Sequence, residues 1–210
     1  LWYVYNYVAP SLPVAAINMS LGYSGWGTSG TCDTWSASAN QQIVNYVNAL
    51  LSIGIPTVIS SGNDNFANKV SFPACISTAV TVGNTTTTAA GADAVFGGIA
   101  GGSNASAVVD LLAPGTDICS AVPTWLDNDG TADGMDCSYI GTSMAAPHVT
   151  GAFAVLKSAR PSASVGTMLS VLKATGTSVT DSRNNLVRTR INRSEEHTSE
   201  LQSRGLISYA

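Results

Sequence analysis

The pattern of apolar and polar residues in the first third of the chain predicts a strand, a helix and a second strand. Residues 14–21, VAAINMSL, form a mostly apolar run of strand length, which is typical of a strand buried on both faces. Between Ser38 and Ile53 the apolar residues recur at the spacing of one helix face, and Gly54 is a natural residue to end that helix. Residues 55–60, IPTVIS, predict another buried strand. This order makes a β-α-β unit, so we expect parallel strands with a right-handed crossover.

Shorter strand patterns and two further helices follow this unit. The predicted strands lie at residues 78–82, 107–112 and 116–122, and the predicted helices at 142–160 and 164–174. Alternating strands and helices indicate an α/β layer structure, in which ligands bind beyond the carboxyl ends of the strands. Two polar segments follow the first two strands at that edge, SLGYSG at 20–25 and SGNDN at 61–65.

The composition suits one folded domain and excludes some classes of partner. The chain has 210 residues, of which 45% are hydrophobic and 10% are charged, enough for a substantial core. Its formal net charge of −4 gives no reason to expect nucleic acid or an anionic membrane as a partner. No apolar run is long enough to span a bilayer.

The composition changes abruptly at residue 193. All of the glutamates lie beyond it, whereas residues 1–192 use only aspartate as an acid. Residues 193–203 and 207–210 match constant blocks of a translated sequencing adapter, and the segment has no apolar periodicity. We therefore expect 193–210 to be a non-native tail and not a domain. A polar C-terminal extension is the alternative.

A serine at the start of the predicted helix 142–160 is a candidate nucleophile. Ser143 lies in GTSMAAPHVTG, residues 141–151, where unpaired N–H groups and the helix dipole favour a developing negative charge. Asn63 could donate its side-chain amide to the same oxyanion. Both residues also fit simpler roles, because serine often caps a helix and asparagine is common in turns.

Four motifs together resemble those of the subtilisin-like serine peptidases. GTSMAAPHVTG resembles the nucleophile segment of that family, INMSLG and SSGND resemble the two segments lining its primary specificity pocket, and LLAPG resembles its strand and turn before the nucleophile loop. The motifs occur in the order of the family and cover nearly all of residues 1–192. The resemblance implies a three-layer α/β fold, with a mostly parallel central sheet flanked by helices, of which this chain holds a part.

The resemblance also implies a role for individual residues. Ser143 would attack a peptide carbonyl to give an acyl-enzyme, while Asn63 and the Ser143 N–H group would hold the oxyanion. Met144 would pack behind the nucleophile. The residues expected to bind substrate are Ser20, Leu21, Gly22, Ser61, Gly62 and Asp64; for Asp64, a solvated loop carboxylate is the alternative.

His148 is not expected to be the general base. It matches a structural histidine of the family motif, and residues five apart on a helix point in different directions. Residues 1–192 contain no other histidine. In the family, the base and its orienting aspartate lie in segments N-terminal to everything matched here. We therefore expect residues 1–192 to be the C-terminal portion of a peptidase domain, truncated at its N-terminus and inactive as given.

The resemblance further suggests a structural cation site. Asp110 matches a family aspartate that joins backbone carbonyls around a cation, and the aligned carbonyls are those of Ser77 and Ala79, which suit Ca²⁺. The alternative is a structural aspartate that only hydrogen-bonds a turn. The acidic segment 127–136, DNDGTADGMD, departs from EF-hand spacing, so we expect a solvated loop there. No cofactor is expected for catalysis.

The chain has four cysteines, which allow three pairings, and no spacing typical of zinc or redox sites. For an exported peptidase of this family, we expect disulfides. Cys119 and Cys137 flank an insertion before the nucleophile loop and would form one pair, leaving Cys32 with Cys75. By alignment with the family, the Phe72–Pro73 bond should be cis.

The expected protein is a secreted, monomeric serine endopeptidase that acts on polypeptides. One alternative is a sedolisin-type carboxyl peptidase, which would use Glu and Asp in place of His and an aspartate at the oxyanion; Asn63 and the continuation MAAPHVTG favour the subtilisin type. A non-catalytic pseudopeptidase that keeps the fold for binding is the other alternative.

Overall fold

The structure is a computed structural model that describes residues 1–35, 38–87, 93–95, 102–127, 130 and 134–192. The expected non-native tail at 193–210 lies outside the described residues, as does part of the acidic segment 127–136.

The described chain contains three α-helices and nine strands. It begins with a π-helical stretch, Val4–Val8. The helices are α1 (Ser38–Ser52), α2 (Thr142–Ala159) and α3 (Val165–Thr175). The strands are β1 (Ile17–Met19), β2 (Thr57–Ser60), β3 (Val80–Thr87), β4 (Asp93–Val95), β5 (Leu111–Pro114), β6 (Ile118–Ala121), β7 (Met135–Tyr139), β8 (Thr177–Thr180) and β9 (Val187–Arg190).

One mostly parallel sheet organises the described residues. Its strand order is β1, β2, β3, β5, β9 and β8, with β4 also paired to β3. The first five of these strands are parallel to one another, whereas β4 and β8 are antiparallel to their neighbours. Strands β6 and β7 form a separate antiparallel pair. The predicted β-α-β unit is therefore confirmed as β1, α1 and β2.

Both faces of the sheet are covered, which makes three layers. Val58 packs into a core with Phe153 of α2 and Met168 of α3, whereas its neighbour Ile59 packs into a second core with Val47 of α1. Successive side chains of a strand point to opposite faces, so an apolar run fills both cores. Burying each such side chain contributes about 1.5–3 kcal/mol.

Three predicted strands differ from those in the structure. The strand predicted at 14–21 is shorter, because only Ile17–Met19 pairs with β2. The strand predicted at 78–82 begins at Val80 and continues to Thr87 as β3. The strand predicted at 107–112 is displaced, because the Val109 N–H group donates to the Ser106 carbonyl at 3.2 Å in a turn, and β5 begins only at Leu111. The helices agree closely with the pattern, and Gly54 has the positive φ of 79° that suits a residue after a helix.

The disulfides and the cis bond agree with the expectations. Cys32 is bonded to Cys75 with a Cα–Cα distance of 5.4 Å, and both are fully buried in the α1-side core. Cys119 is bonded to Cys137, and their Cα atoms lie 3.7 Å apart where the register of β6 and β7 shifts. The Phe72–Pro73 bond is cis.

Candidate active site

A cleft of about 270 Å³ opens where the loops after β1 and β2 meet the start of α2. Both loops leave the sheet at the same edge, because β1 and β2 are parallel neighbours. Most of the residues predicted to act on substrate line this cleft, namely Ser20, Leu21, Gly22, Gly62, Asn63, Asp64 and Ser143. The fold therefore brings together side chains from three distant segments.

Ser143 is the second residue of α2 and does not cap the helix. The N-cap is Gly141, whose φ of 143° places it outside the helical region. Among the described residues, the Ser143 hydroxyl makes only one long contact, of 3.5 Å to the Ser20 carbonyl. Its backbone N–H group lies in the first helical turn, where no intrahelical acceptor exists. Both polar groups of Ser143 are therefore free to act on a ligand in the cleft.

Asn63 supplies the cap of α2 from the neighbouring loop. Its Oδ1 atom accepts hydrogen bonds from the Thr142 N–H group at 2.9 Å and from the Thr142 hydroxyl at 2.8 Å. Two donors on the oxygen fix which end of the carboxamide faces the helix. The amide nitrogen makes no hydrogen bond within the described part of the chain, and the Cβ of any larger residue at Gly141 would lie 3.1 Å from it. An unpaired donor and a helix N-terminus thus face one cleft, which suits an oxyanion.

Ser61, which was predicted to bind substrate, does not lie in the cleft. It is fully buried and does not line the cleft, because its hydroxyl donates to the Asn104 carbonyl at 2.9 Å. Its N–H group donates to Val82 and its carbonyl accepts from Ser71, each at 2.9 Å. Gly62 lines the cleft, but its N–H group donates to the Thr142 hydroxyl at 3.2 Å. Neither N–H group is therefore available to pair with an extended peptide.

The other wall of the cleft keeps its backbone free. The backbone groups of Leu21 and Gly22 make no hydrogen bonds within the described residues, and Leu21 is 54% exposed. The Ser20 hydroxyl donates to the Ser143 carbonyl at 2.7 Å and ties this wall to α2. Free N–H and C=O groups along an extended segment can pair with an added strand. Residues 21–22 therefore suit a peptide ligand.

Asp64 is held by four donors. Its Oδ1 atom accepts from the Gly25 N–H group at 2.6 Å and from the Ser24 hydroxyl at 3.3 Å. Its Oδ2 atom accepts from Asn104 at 3.1 Å and from the Ser71 hydroxyl at 3.2 Å. Burial would raise the pKa of this carboxyl, but the bonds from Gly25, Asn104, Ser24 and Ser71 outweigh it and lower the pKa below its usual value. The carboxylate stays ionised and joins the two walls of the cleft.

His148 does not pair with Ser143. Its Nδ1 atom lies 2.9 Å from the Met144 carbonyl, four residues earlier on α2. Because a carbonyl can only accept, this nitrogen carries the proton. His148 and Met144 line a second, more apolar cavity of about 410 Å³ on the other side of Ser143, together with residues of β6 and β7. Among the described residues, His148 is therefore not placed to act as a base for Ser143.

Asp110, the carboxylate expected at a Ca²⁺ site, already has two partners. The Asp110 Oδ1 atom pairs with the Lys173 ammonium at 2.8 Å, and Oδ2 accepts from the Thr81 N–H group at 3.0 Å. The Ser77 N–H group and hydroxyl donate to Asp33, at 3.0 and 3.1 Å, and the Ala79 N–H group donates to Ile76 at 3.1 Å, but these bonds do not involve the two carbonyls predicted as ligands. The Lys173 ammonium already places a positive charge at Asp110 and disfavours a second cation there. No group of three or more His, Cys, Asp or Glu side chains suited to a metal occurs among the described residues.

Comparison with known protein families identifies the family of this chain. The family model described as the subtilase family matches residues 5–197. The chain belongs to the subtilase family. The match favours the subtilisin type over the sedolisin type. No described helix is long and apolar enough to cross a membrane.

Several extracellular proteases are similar to this chain in sequence. An extracellular serine proteinase of Thermus sp. is 36% identical over 81% of the chain and 34% of its own length. An extracellular protease of Xanthomonas campestris is 35% identical over 72% of the chain and 22% of its own length. The chain thus spans about a fifth to a third of the length of these relatives.

A solved subtilase structure also matches the fold. A cold adapted subtilisin-like serine proteinase superposes with a TM-score of 0.62 and 26% identity, over 89% of this chain and 57% of that one. The expected three-layer α/β fold with a mostly parallel sheet is therefore confirmed.

Proposed function

We propose that the protein carrying this chain is a secreted serine endopeptidase that works through an acyl-enzyme on Ser143. The arrangement at the start of α2 carries this proposal, because Ser143 and the unpaired amide of Asn63 line one cleft. The substrates are polypeptides, aligned along residues 21–22. Two observations support export: the similar proteins are named as extracellular, and this chain contains two disulfides.

The chemistry follows from the positions of these groups. The Ser143 Oγ atom attacks the peptide carbonyl carbon while a general base takes its proton. The Asn63 amide and the Ser143 N–H group donate to the oxyanion as charge develops on the carbonyl oxygen. The C–N bond then breaks, the leaving nitrogen takes the proton, and water hydrolyses the acyl-enzyme by the same steps in reverse.

The general base comes from outside the described residues in this proposal. His148 is held on the Met144 carbonyl, and no other described side chain approaches the Ser143 hydroxyl within hydrogen-bonding distance. The cavity of about 410 Å³ beside Ser143 leaves room for such a group. Residues 1–192 without a base should turn over peptides no faster than oxyanion stabilisation alone allows.

Labelling with a fluorophosphonate probe tests the proposal. We expect the complete enzyme to be labelled rapidly at Ser143 and residues 1–192 to be labelled slowly, with Ser143→Ala abolishing both reactions. Ser24→Ala, a hydroxyl change at the rim of the same cleft, is the matched control. If the complete enzyme is folded but neither labelled nor active on casein, the protein is the pseudopeptidase instead. Rapid labelling of residues 1–192 alone would contradict the missing base.

A further inference from the structure

The turn between β8 and β9 reaches the loop that carries Asn63. Arg183, in this turn, donates from Nη1 to the Asn65 side-chain oxygen at 2.6 Å and to the Ser103 carbonyl at 2.8 Å. In the same turn, the Asn184 side chain donates to the Ala67 carbonyl. The turn is more than a hundred residues from this loop in sequence, so the contact exists only in the folded chain.

The Arg183 guanidinium is itself held rigidly. Its Nε and Nη2 atoms donate to the two oxygens of Asp181, at 2.9 and 2.6 Å, and its backbone N–H group donates to the same carboxylate at 3.0 Å. The Asp181 side chain is 5% exposed. A bidentate pair of this kind fixes the plane of the guanidinium. The Nη1 atom is thereby aimed at Asn65.

The loop also has supports beside Arg183, because the Asn65 N–H group donates to the Gly102 carbonyl at 2.9 Å and the Phe66 carbonyl accepts from Ala105 at 2.7 Å. Asn63 and Asn65 are both exposed, and Asn65 adopts a left-handed φ of 57°. Asn104 also holds the loop, because its Oδ1 atom accepts from the N–H groups of Asp64 and Phe66, each at 3.0 Å. Arg183 holds the loop through the Asn65 side chain, two residues from Asn63. A shift of about 1 Å in a group that positions the reaction can cost about 10²-fold in rate.

We propose that Arg183 is a positioning residue of the active site, which acts through Asn65 to hold the Asn63 amide at the oxyanion. The role of the Asn63 amide rests on the proposed peptidase function, but the contact between turn and loop does not. Arg183 is not a catalytic residue, because it touches neither Ser143 nor the cleft.

Arg188 provides a matched control on the same hairpin. Its Nη2 atom donates to the carbonyls of Ala107 and Ser106, at 2.9 and 3.4 Å. It therefore bridges β9 to a segment that holds no residue of the site. Removing either arginine breaks hydrogen bonds between the hairpin and another segment. Of the two, only Arg183 contacts the loop that carries Asn63.

Hydrogen exchange tests the contact without requiring activity. In Arg183→Gln we expect the N–H groups of Asp64, Asn65 and Phe66 to exchange at least about tenfold faster, since the charge-assisted bond to the Asn65 side chain is lost. Arg188→Gln should leave these amides unchanged. Arg183→Lys keeps the charge but lacks the planar fork, so it should resemble Arg183→Gln. Unchanged protection in Arg183→Gln, or full rescue by lysine, overturns the proposal.

Kinetics of the complete enzyme test the consequence. With concentrations set by active-site titration, Arg183→Gln should lower kcat about tenfold or more and change KM little, because Asn63 acts on the transition state. Arg188→Gln should leave kcat per active site unchanged. If the two variants lose kcat equally, the positioning role is wrong. If the unsubstituted enzyme cleaves no peptide, the peptidase proposal fails, and the exchange result still decides whether Arg183 holds the loop.

Discussion

Asn63 uses the two ends of one carboxamide for different partners. Its oxygen accepts both donors of Thr142 at the start of α2, and its nitrogen faces the cleft without a partner in the described chain. The capping bonds orient the amide, so the proposed reaction would require no reorganisation of this group. In the proposed function, a turn residue by composition acts both as a helix cap and as an oxyanion donor.

Two substitutions of Asn63 separate these roles. Asn63→Asp keeps an acceptor and adds a negative charge at a helix N-terminus, so the free energy of unfolding should be unchanged or higher. It loses the donor, so kcat should fall by about 10²–10³, the loss for which subtilisin is itself the standard example. Asn63→Ala should lose the same activity and also about 1 kcal/mol of stability. Thermal unfolding and kcat of the complete enzyme measure both effects. An Asn63→Asp variant with full kcat would contradict the donor role.

Asp64 should make stability depend on pH in the acid range. Its hydrogen bonds lower the pKa in the folded state, so the carboxylate stabilises the fold above its unfolded pKa of about 3.9. That contribution should be lost as the pH falls through the lower folded pKa. Urea unfolding of the parent and of Asp64→Asn, at a series of pH values, checks this. The difference between their free energies should be constant above about pH 5 and shrink below about pH 4. A difference that does not change with pH would contradict it.

At the scale of elements, the Lys173–Asp110 pair joins α3 to the segment before β5. Lys173 follows the helical pattern and lies in the last turn of α3, while Asp110 precedes β5 and bonds the Thr81 N–H group of β3. The resemblance assigned Asp110 to a cation site, but the packing of α3 brings an ammonium to the same carboxylate. A side chain from another element therefore supplies the charged partner of this aspartate.

Calcium should not stabilise this part of the fold. The melting temperature of the folded chain should be the same in excess EDTA and in millimolar Ca²⁺, because Lys173 occupies the position next to Asp110. Lys173→Gln should lower the free energy of unfolding by no more than about 1 kcal/mol, because the Lys173 side chain is 42% exposed. Lys157→Gln, on α2 and without an ion pair among the described residues, is the control. A calcium-dependent rise in the melting temperature of the parent would contradict this prediction.

At the scale of the whole molecule, residues 1–192 should account for the fold. Residues 193–210 carry few large apolar side chains and no period, so little burial would offset the entropy of ordering them. We expect deletion of 193–210 to leave the melting temperature unchanged or higher, measured on chains of otherwise identical sequence. A deletion that lowers it by several degrees would show that the tail contributes to the fold.

The sequence by itself predicted the elements whose residues are strongly periodic or apolar. The helices α1, α2 and α3 follow a 3.6-residue pattern, and β2 is an apolar run, because burial against the cores requires those side chains. The nucleophile segment and the cis proline were predicted by resemblance, since motif and order persist when other positions change. Strands β8 and β9, with the sequences TSVT and VRTR, carry no such signal. Pairing with neighbours, which is non-local, places them in the sheet.

The tertiary structure alone decided how the site is held together. The cap on α2 from Asn63, the four donors around Asp64, the ammonium beside Asp110 and the contact from Arg183 to Asn65 all join residues from different segments. Hydrogen bonds between polar side chains leave no periodic pattern in a sequence, because each depends on where two distant backbones meet. The residue types at the site were therefore predictable, whereas their partners were set by the packing of loops and helices around one edge of the sheet.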